Sequence, residues 1–378
     1  MVRLQKSWYY CRFAISSFAM KQVYLTPGPS GLYFTVEEHL KKALREQVPS
    51  ISHRSKGFQE IYAGATAALR ALLQVPDNYH ILFTSSATEI WERLIQNCVA
   101  EQSAHLVNGS FSKRFCEISE LLGREALSFH AAHGTCVNPA DVSAPGAELI
   151  SVTHNETSTG AMQPLEDIVA LREAHPDALI AVDGVSSLPY AQLDWPVIDT
   201  AYFSVQKCFG LPAGLGVWLV NERCIAKAES LLAQGRSIGS YHSLPAMLEK
   251  AVKHQTTETP NVLGIYLLGA VARDMLDKGI DMIRRETDYK AALLYNSFAA
   301  HPALSAFVQE ERLRSRTVAV GEVAGGSPAL IDYLKGKGMV TGSGYGGYKE
   351  QHIRIANFPT TSKEQVEMLA DHIAAFEV

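Results

Sequence analysis

The sequence predicts an α/β fold, with a large domain built on a mainly parallel, doubly wound sheet and a smaller C-terminal α+β domain after it. Three observations carry this. Between about Tyr79 and Val205 the chain repeats strand, small-residue turn and helix, the pattern of helices crossing over between parallel strands. Runs such as Ala178 to Val182 are continuously apolar, as buried strands are. Beyond the long apolar helix that starts near Asn261, the order changes to helix, strand, helix, glycine-rich turn, strand and closing helix, an α+β arrangement. The division that follows is an N-terminal extension at 1–19, a large domain at 20–265 and a small domain at 266–378.

The first twenty residues carry Arg3, Lys6 and Arg12 and no acid, but their apolar segment is short and broken by Ser16 and Ser17. They read as an upstream extension rather than a targeting signal, with Met20 as the natural start. "VYLTPGPS" is a short strand meeting a turn restricted by two prolines. A helix around Val36 to Glu46 follows, then "PSISHRSKGF", where His53, Arg54 and Lys56 place three potential cations beside hydroxyls. Such a loop suits phosphate or carboxylate, or is simply a solvated basic loop. From Phe58 to Leu73 the pattern is helical.

"ILFTSSATEIWERLIQNCVA" is strand, turn, helix, with backbone N–H groups of Ser85 to Thr88 at the helix N-terminus. That is an anion site or an ordinary Ser/Thr cap. In "AHLVNGSFSKRFCEISELLG" the turn carries Phe111, and "ELISVTHNETSTG" is a strand ending in a polar cluster with Asn155, Glu156 and Thr157. Pro164 opens the next helix and Pro176 follows its end. The final helix carries an expected capping box of Thr361 with Glu364, and Arg354 interrupts an apolar strand shortly before it. A buried-strand arginine calls for an anionic partner, either a ligand or a structural acid.

Composition narrows the function. The 378 residues are 47% hydrophobic and 19% charged, with a net charge of −5, so neither nucleic acid nor a membrane surface is an expected partner. The six cysteines are scattered with no C-x-x-C pair, which fits a reduced cytoplasm and neither a disulfide framework nor a metal site. No apolar run approaches the roughly 18 residues of a membrane helix.

The chemistry points to "AYFSVQKCFGLPAGLGVWLV", where an apolar strand stops at Gln206-Lys207 and a second begins beyond a glycine- and proline-broken turn. Burial disfavours an ammonium and lowers its pKa, so Lys207 is a candidate Schiff-base former, the alternative being a lysine snorkelling to solvent. Asp183 ends the "ALIAVD" strand 24 residues earlier, enough for one crossover and one further parallel strand. Both groups then fall at the carboxyl edge of one sheet, where open α/β sheets bind ligands. A lysine paired with a carboxylate is what pyridoxal phosphate needs.

"SVQKCFGLPAGLGV" and "AVDGVSS", together with "TPGPS", "SISHRSKGF", "HNETSTG" and "TETPN", resemble the class V, fold type I pyridoxal-phosphate aminotransferases, most closely the phosphoserine aminotransferase branch, from about Val23 to Pro359. The resemblance implies a seven-stranded sheet in the large domain and pyridoxal 5'-phosphate as cofactor, held by Lys207 with Asp183 at the ring nitrogen. It places Ala87 and Thr88 at the cofactor phosphate, Phe111 over the ring, Thr157 at the phenolic oxygen and Gln206 beside the lysine. Thr259 would reach the phosphate in the other subunit of a homodimer with shared sites. A core phenylalanine and a helix cap are the plainer readings of Phe111 and Thr259.

The resemblance also implies that Arg354 clamps an α-carboxylate and that His53 and Arg54, from the neighbouring subunit, bind a distal phosphate or γ-carboxylate. The implied reaction is the ping-pong exchange of an amino group between O-phosphoserine, with its keto acid 3-phosphohydroxypyruvate, and 2-oxoglutarate or glutamate, a step of serine biosynthesis in the cytoplasm. One departure stands out: many phosphoserine aminotransferases carry a His-Arg pair just upstream of the clamp arginine, and this chain has "GSGYGGYKEQHIR", with Lys349 as a loose substitute. An aminotransferase of the serine-pyruvate or alanine-glyoxylate kind is the alternative within the fold. A non-catalytic protein that kept the fold is the alternative outside it.

Overall fold

The computed structural model describes residues 22–377, so the expected extension at 1–19 and the candidate start at Met20 lie outside the described residues. The chain forms a seven-stranded and a five-stranded sheet, plus a small two-stranded ribbon. In the larger sheet the spatial order is Tyr79–Thr84, Gly216–Asn221, Thr200–Ser204, Leu179–Asp183, Leu149–Thr153, Gln102–Val107 and Glu125–His130. From Thr200–Ser204 to Glu125–His130 every neighbour is parallel. Gly216–Asn221 runs antiparallel to both of its neighbours. The connection from Ser204 to Gly216 is too short for a crossover helix, so the chain must turn back on itself there. The expected mainly parallel, seven-stranded sheet is the one found.

Strands at the middle of this sheet are buried along their whole length. Their side chains divide between two cores with a period of two. Ile180, Val182, Ala201, Phe203, Val217 and Leu219 enter the core formed with the Lys56–Leu73 and Val262–Lys278 helices. Leu179, Ala181, Tyr202, Trp218 and Val220 enter the opposite core, with Trp91 and Phe115. Each fully buried Leu, Ile or Phe contributes about 1.5–3 kcal/mol, so a one-residue register slip would cost many such terms at once. The same alternation sends Asp183 to the face that holds Trp91.

The five-stranded sheet has the order Val23–Leu25, Met339–Ser343, His352–Ala356, Val318–Val323 and Leu304–Ala306, with a parallel first pair and antiparallel pairs after it. Val23–Leu25 falls within the expected large domain at 20–265, yet it is hydrogen bonded in this second sheet. The expected boundary at 265 lies inside the continuous Val262–Lys278 helix, whose Leu267, Leu268, Val271 and Met275 belong to the first core. The last helix is capped one residue later than expected, by Ser362 with Gln365 rather than Thr361 with Glu364. Thr361 is buried, and its carbonyl accepts a 2.7 Å hydrogen bond from the buried Lys290 ammonium.

Candidate active site

Lys207 lies in the turn that follows Thr200–Ser204, at the carboxyl end of that strand. The turn closes tightly: Gly210 donates to the Lys207 carbonyl and has φ +57°, and a Cβ there would lie 2.6 Å from the Tyr33 nitrogen. The lysine is 7% exposed. Its ammonium donates to Thr157 Oγ1 at 2.9 Å and stands 5.0 Å from the centre of the Phe111 ring. Its stem is covered by the Pro-Gly-Pro turn, where Gly28 has φ +133° and an added Cβ would meet Lys207 Cε at 2.8 Å. Burial, opposed by the charges of Asp183 and Glu156, pulls the Lys207 pKa below its ordinary value.

Asp183 ends the neighbouring strand and accepts hydrogen bonds from Trp91 Nε1 at 3.2 Å and from the Val185 N–H at 2.9 Å. Burial outweighs those bonds and the Lys207 charge and pushes its pKa up to about 6. Trp91 belongs to the Ala87–Cys98 helix, capped by Ser86 through the Glu89 N–H. At its first turn the Ala87 N–H donates to Ser204 Oγ at 2.8 Å, and Thr88 is exposed. This turn packs on Gly216, where a Cβ would lie 2.6 Å from the Ser86 carbonyl carbon.

A polar net holds the other side. Thr157 donates to Ser186 Oγ at 2.9 Å, and Asn155 Nδ2 donates to the same atom at 2.7 Å. Asn155 Oδ1 is buried without a protein partner. Glu156 is buried beneath the Ser110–Leu121 helix and accepts from the Ser112 N–H at 3.0 Å and from Ser158 Oγ at 2.6 Å, which uses a carboxylate to satisfy the free N–H groups of that helix start. Gly109 is required by this approach, since a Cβ there would meet Glu156 Cγ. The helix start in turn sets the place of Phe111. Arg354, half-buried, donates from Nε to the Ser343 carbonyl at 2.7 Å and from Nη1 to the Thr157 carbonyl at 3.2 Å. Among the described residues no carboxylate forms an ion pair with it.

Lys207, Thr157, Phe111 and Arg354 are therefore brought together, with Asp183 at the next strand end. The remaining candidates stand elsewhere in the chain. Gln206 accepts the Ser30 N–H through its carbonyl. Arg54 donates to Gln255 Oε1 at 3.0 Å and to the Thr256 carbonyl at 2.8 Å, with His53 half-buried beside it. Thr259, exposed, is not the cap of the helix that follows, because Asn261 accepts the Gly264 N–H instead. It borders a cleft of about 390 Å³ with Ser85, Glu89, Gly214 and His242. Lys349 is exposed.

Sequence reasoning misses three features. A buried indole such as Trp91 needs an acceptor, but nothing local to it names Asp183. Tyr345 stands 5.3 Å from both the Phe111 ring and the Arg354 guanidinium. His242, 4% exposed in its side chain, bridges Glu89 and Glu258 through its two ring nitrogens.

A buried lysine and a buried carboxylate at adjacent carboxyl strand ends, with an aromatic ring 5.0 Å from the lysine, define an amine-centred site on an open α/β sheet. Residues 135–352 match the aminotransferase class-V family, more than half of the chain, and the protein belongs to that family. It is an aminotransferase of fold type I, a class that depends on pyridoxal phosphate. The structure is similar to that of a phosphoserine aminotransferase from Cytophaga hutchinsonii, with a TM-score of 0.92 and 52% identity, covering 94% of this chain and 98% of that one. Phosphoserine aminotransferase from Rhodococcus opacus is 28% identical over 329 residues, 85% of this chain and 86% of that protein. Aspartate aminotransferase from Thermus thermophilus, at 23% identity, 93% and 98% coverage and a TM-score of 0.82, shares the fold.

Proposed function

We propose that the protein interconverts O-phosphoserine and 3-phosphohydroxypyruvate, with 2-oxoglutarate and glutamate as the second pair, as a step of serine biosynthesis. The observation that carries this reading is the buried Lys207 amine held on Thr157 at one strand end, with the buried Asp183 carboxyl at the next. The 52% identity to the Cytophaga enzyme supports the phosphorylated substrate.

The residues present fit pyridoxal phosphate. Burial pulls the Lys207 amine toward its uncharged form, Asn155 Oδ1 is a buried acceptor with no protein partner, and the Phe111 ring centre lies 5.0 Å from the Lys207 ammonium. In this reading Lys207 would bond the cofactor, with Asp183 at its ring nitrogen, Phe111 over the ring and Thr157 at the phenolic oxygen, and Ala87 and Thr88 would hold the phosphate. Bound there, the cofactor supplies an electron sink for negative charge at the substrate Cα. Trp91 and the Val185 N–H orient the Asp183 carboxylate, so that it stabilises positive charge on the ring nitrogen. The Lys207 amine would take the proton from the substrate Cα and return it, a role that burial assists by favouring its uncharged form. Arg354, its guanidinium aimed by Ser343 and Thr157, binds the α-carboxylate.

Thr259, His53 and Arg54 complete the site of a second copy, which makes the working unit a homodimer. Arg54 braces the segment before Thr259, so both would be presented to the partner as one piece. The described residues include no helix long and apolar enough to cross a membrane, and their five cysteines are free, in keeping with a cytoplasmic enzyme.

A serine-pyruvate or alanine-glyoxylate activity is the second reading, favoured by the lack of a His-Arg pair upstream of Arg354, for which the exposed Lys349 is only a loose substitute. Visible spectra and steady-state rates with phosphoserine, serine and alanine separate the two. Phosphoserine is expected to convert the bound cofactor fastest, and Lys207→Ala to abolish turnover. Faster conversion by serine or alanine would overturn the phosphorylated substrate, and a spectrum indifferent to every amino acid would overturn the enzyme.

A further inference from the structure

Five residues are linked in a closed circuit of contacts. Lys207 donates to Thr157 Oγ1 at 2.9 Å, the Thr157 carbonyl accepts from Arg354 at 3.2 Å, and the Arg354 guanidinium lies 5.3 Å from the Tyr345 ring. Tyr345 is 5.3 Å from the Phe111 ring, which returns to Lys207 at 5.0 Å. Four of these have a part in the proposed reaction. Tyr345 does not, although it forms the wall between the ring-covering phenylalanine and the carboxylate-binding arginine.

Its setting differs from that of the other four. Tyr345 is 40% exposed and sits on the connection between Met339–Ser343 and His352–Ala356. Gly346 and Gly347 follow it; an added Cβ would touch nothing at either, and Gly346 has φ +55°. Those glycines supply backbone freedom rather than room. The far end of the connection is anchored, because Tyr348 stacks between His133, at 4.3 Å, and His352, at 4.7 Å. Tyr345 is thus carried on a short arm with a fixed foot. The face of its ring shields a guanidinium that has no carboxylate partner among the described residues.

We propose that Tyr345 is a specificity-determining residue: its ring covers Arg354 and bounds the substrate space, admitting α-amino and 2-oxo acids with compact anionic side chains and rejecting bulky apolar ones. The carboxylate enters beneath the ring, which keeps the guanidinium in place and away from water. The inference rests on the reading of the Lys207 site given above. It concerns a residue outside the proton-transfer machinery, so its signature is in KM and in substrate choice rather than in kcat.

The test compares Tyr345→Ala and Tyr345→Phe with the wild-type holoenzyme. Tyr345→Ala is expected to raise KM for phosphoserine and glutamate about fivefold with kcat within about twofold. It is also expected to raise the relative kcat/KM for leucine or phenylalanine at least about tenfold. Tyr345→Phe keeps the ring and is expected to stay near wild type in both. Calorimetric binding of maleate, an unreactive dicarboxylate, is measured alongside and is expected to weaken in Tyr345→Ala alone. If the wild type transaminates and Tyr345→Ala leaves KM, discrimination and maleate affinity unchanged, or lowers kcat alone, the proposal is overturned. Wild type that binds no maleate overturns it too. If the wild type transaminates nothing while maleate binding still depends on the ring, the activity reading fails and Tyr345 keeps its assignment.

Discussion

Two buried charge clusters in this protein are built on opposite terms. Around Lys207 and Asp183 burial dominates: the lysine is pulled down, the aspartic acid is pushed up to about 6, and each is driven toward its neutral form. Around His242 burial also opposes the charge, but hydrogen bonds to Glu258 and Glu89 outweigh it and raise the imidazole to about 9, while Glu89 is held down to about 2. The second cluster has its counter-ions within hydrogen-bonding distance, Ser85 also donating to Glu89 and Thr257 to Glu258. It ties the start of the Ala87–Cys98 helix to the segment that carries Thr259. The first cluster is left short of partners, with Asn155 Oδ1 orphaned beside it. A self-satisfied cluster stabilises the fold, whereas one that burial holds near neutrality is prepared to bond a ligand.

The sharpest way to break this contrast is Asp183→Asn. Loss of the carboxylate, in its proposed role opposite the ring nitrogen, is expected to lower kcat by about 10²–10³, the scale of removing one preorganised electrostatic partner. Stability should move the other way. A carboxyl raised from 3.8 to about 6 costs nothing below pH 3.8 and its full penalty above about 6, on the order of 3 kcal/mol at pH 7 from a shift of this size. Thermal melting of Asp183→Asn at pH 7 is therefore expected to equal or exceed wild type; a clear drop would mean that the Asp183 anion is already paid for by partners, and the contrast would collapse.

His242→Ala is expected to do the reverse. It leaves Glu89 and Glu258 half-buried and facing each other, at a cost of about 3 kcal/mol in chemical denaturation. A neutral result would show that the cluster contributes no stability. The mildest probe is pH. A histidine raised from 6.5 to about 9 contributes fully below 6.5 and loses its contribution as pH rises through 9. Glu89, lowered from 4.5 to about 2, contributes above 4.5 and loses it as pH falls through 2. Between pH 7 and 10 the wild type should lose on the order of 2 kcal/mol relative to His242→Ala, and parallel pH profiles for the two would exclude the bridge.

Those two clusters were unequally legible. Lys207, Asp183 and Thr157 each sit at a strand end or in the turn after one, Phe111 opens the helix that follows one, and turn chemistry after an apolar run is local information. The His242 cluster joins residues 153 positions apart, and neither glutamate follows a pattern that distinguishes it from a solvated helix charge. Trp91 is similar: its helix is readable, but its bond to Asp183 depends on which face of the Leu179–Asp183 strand the aspartate occupies. The place of Val23–Leu25 in the five-stranded sheet was also hidden, because a three-residue strand has no pattern of its own and takes its partner from the sheet edge it reaches.

By itself the sequence determined the alternating elements, the parallel character of the main sheet and the two chemical groups at its edge, because hydrophobic period, glycine and proline act over a few residues. The tertiary structure alone decided how buried the amine and carboxyl are, that Gly28 packs on the lysine stem, that Arg354 lies over the Tyr345 ring, and that His242 bridges two glutamates. Desolvation and ion pairing are sums over neighbours from distant parts of the chain, and they take a value only once the chain has brought those neighbours together.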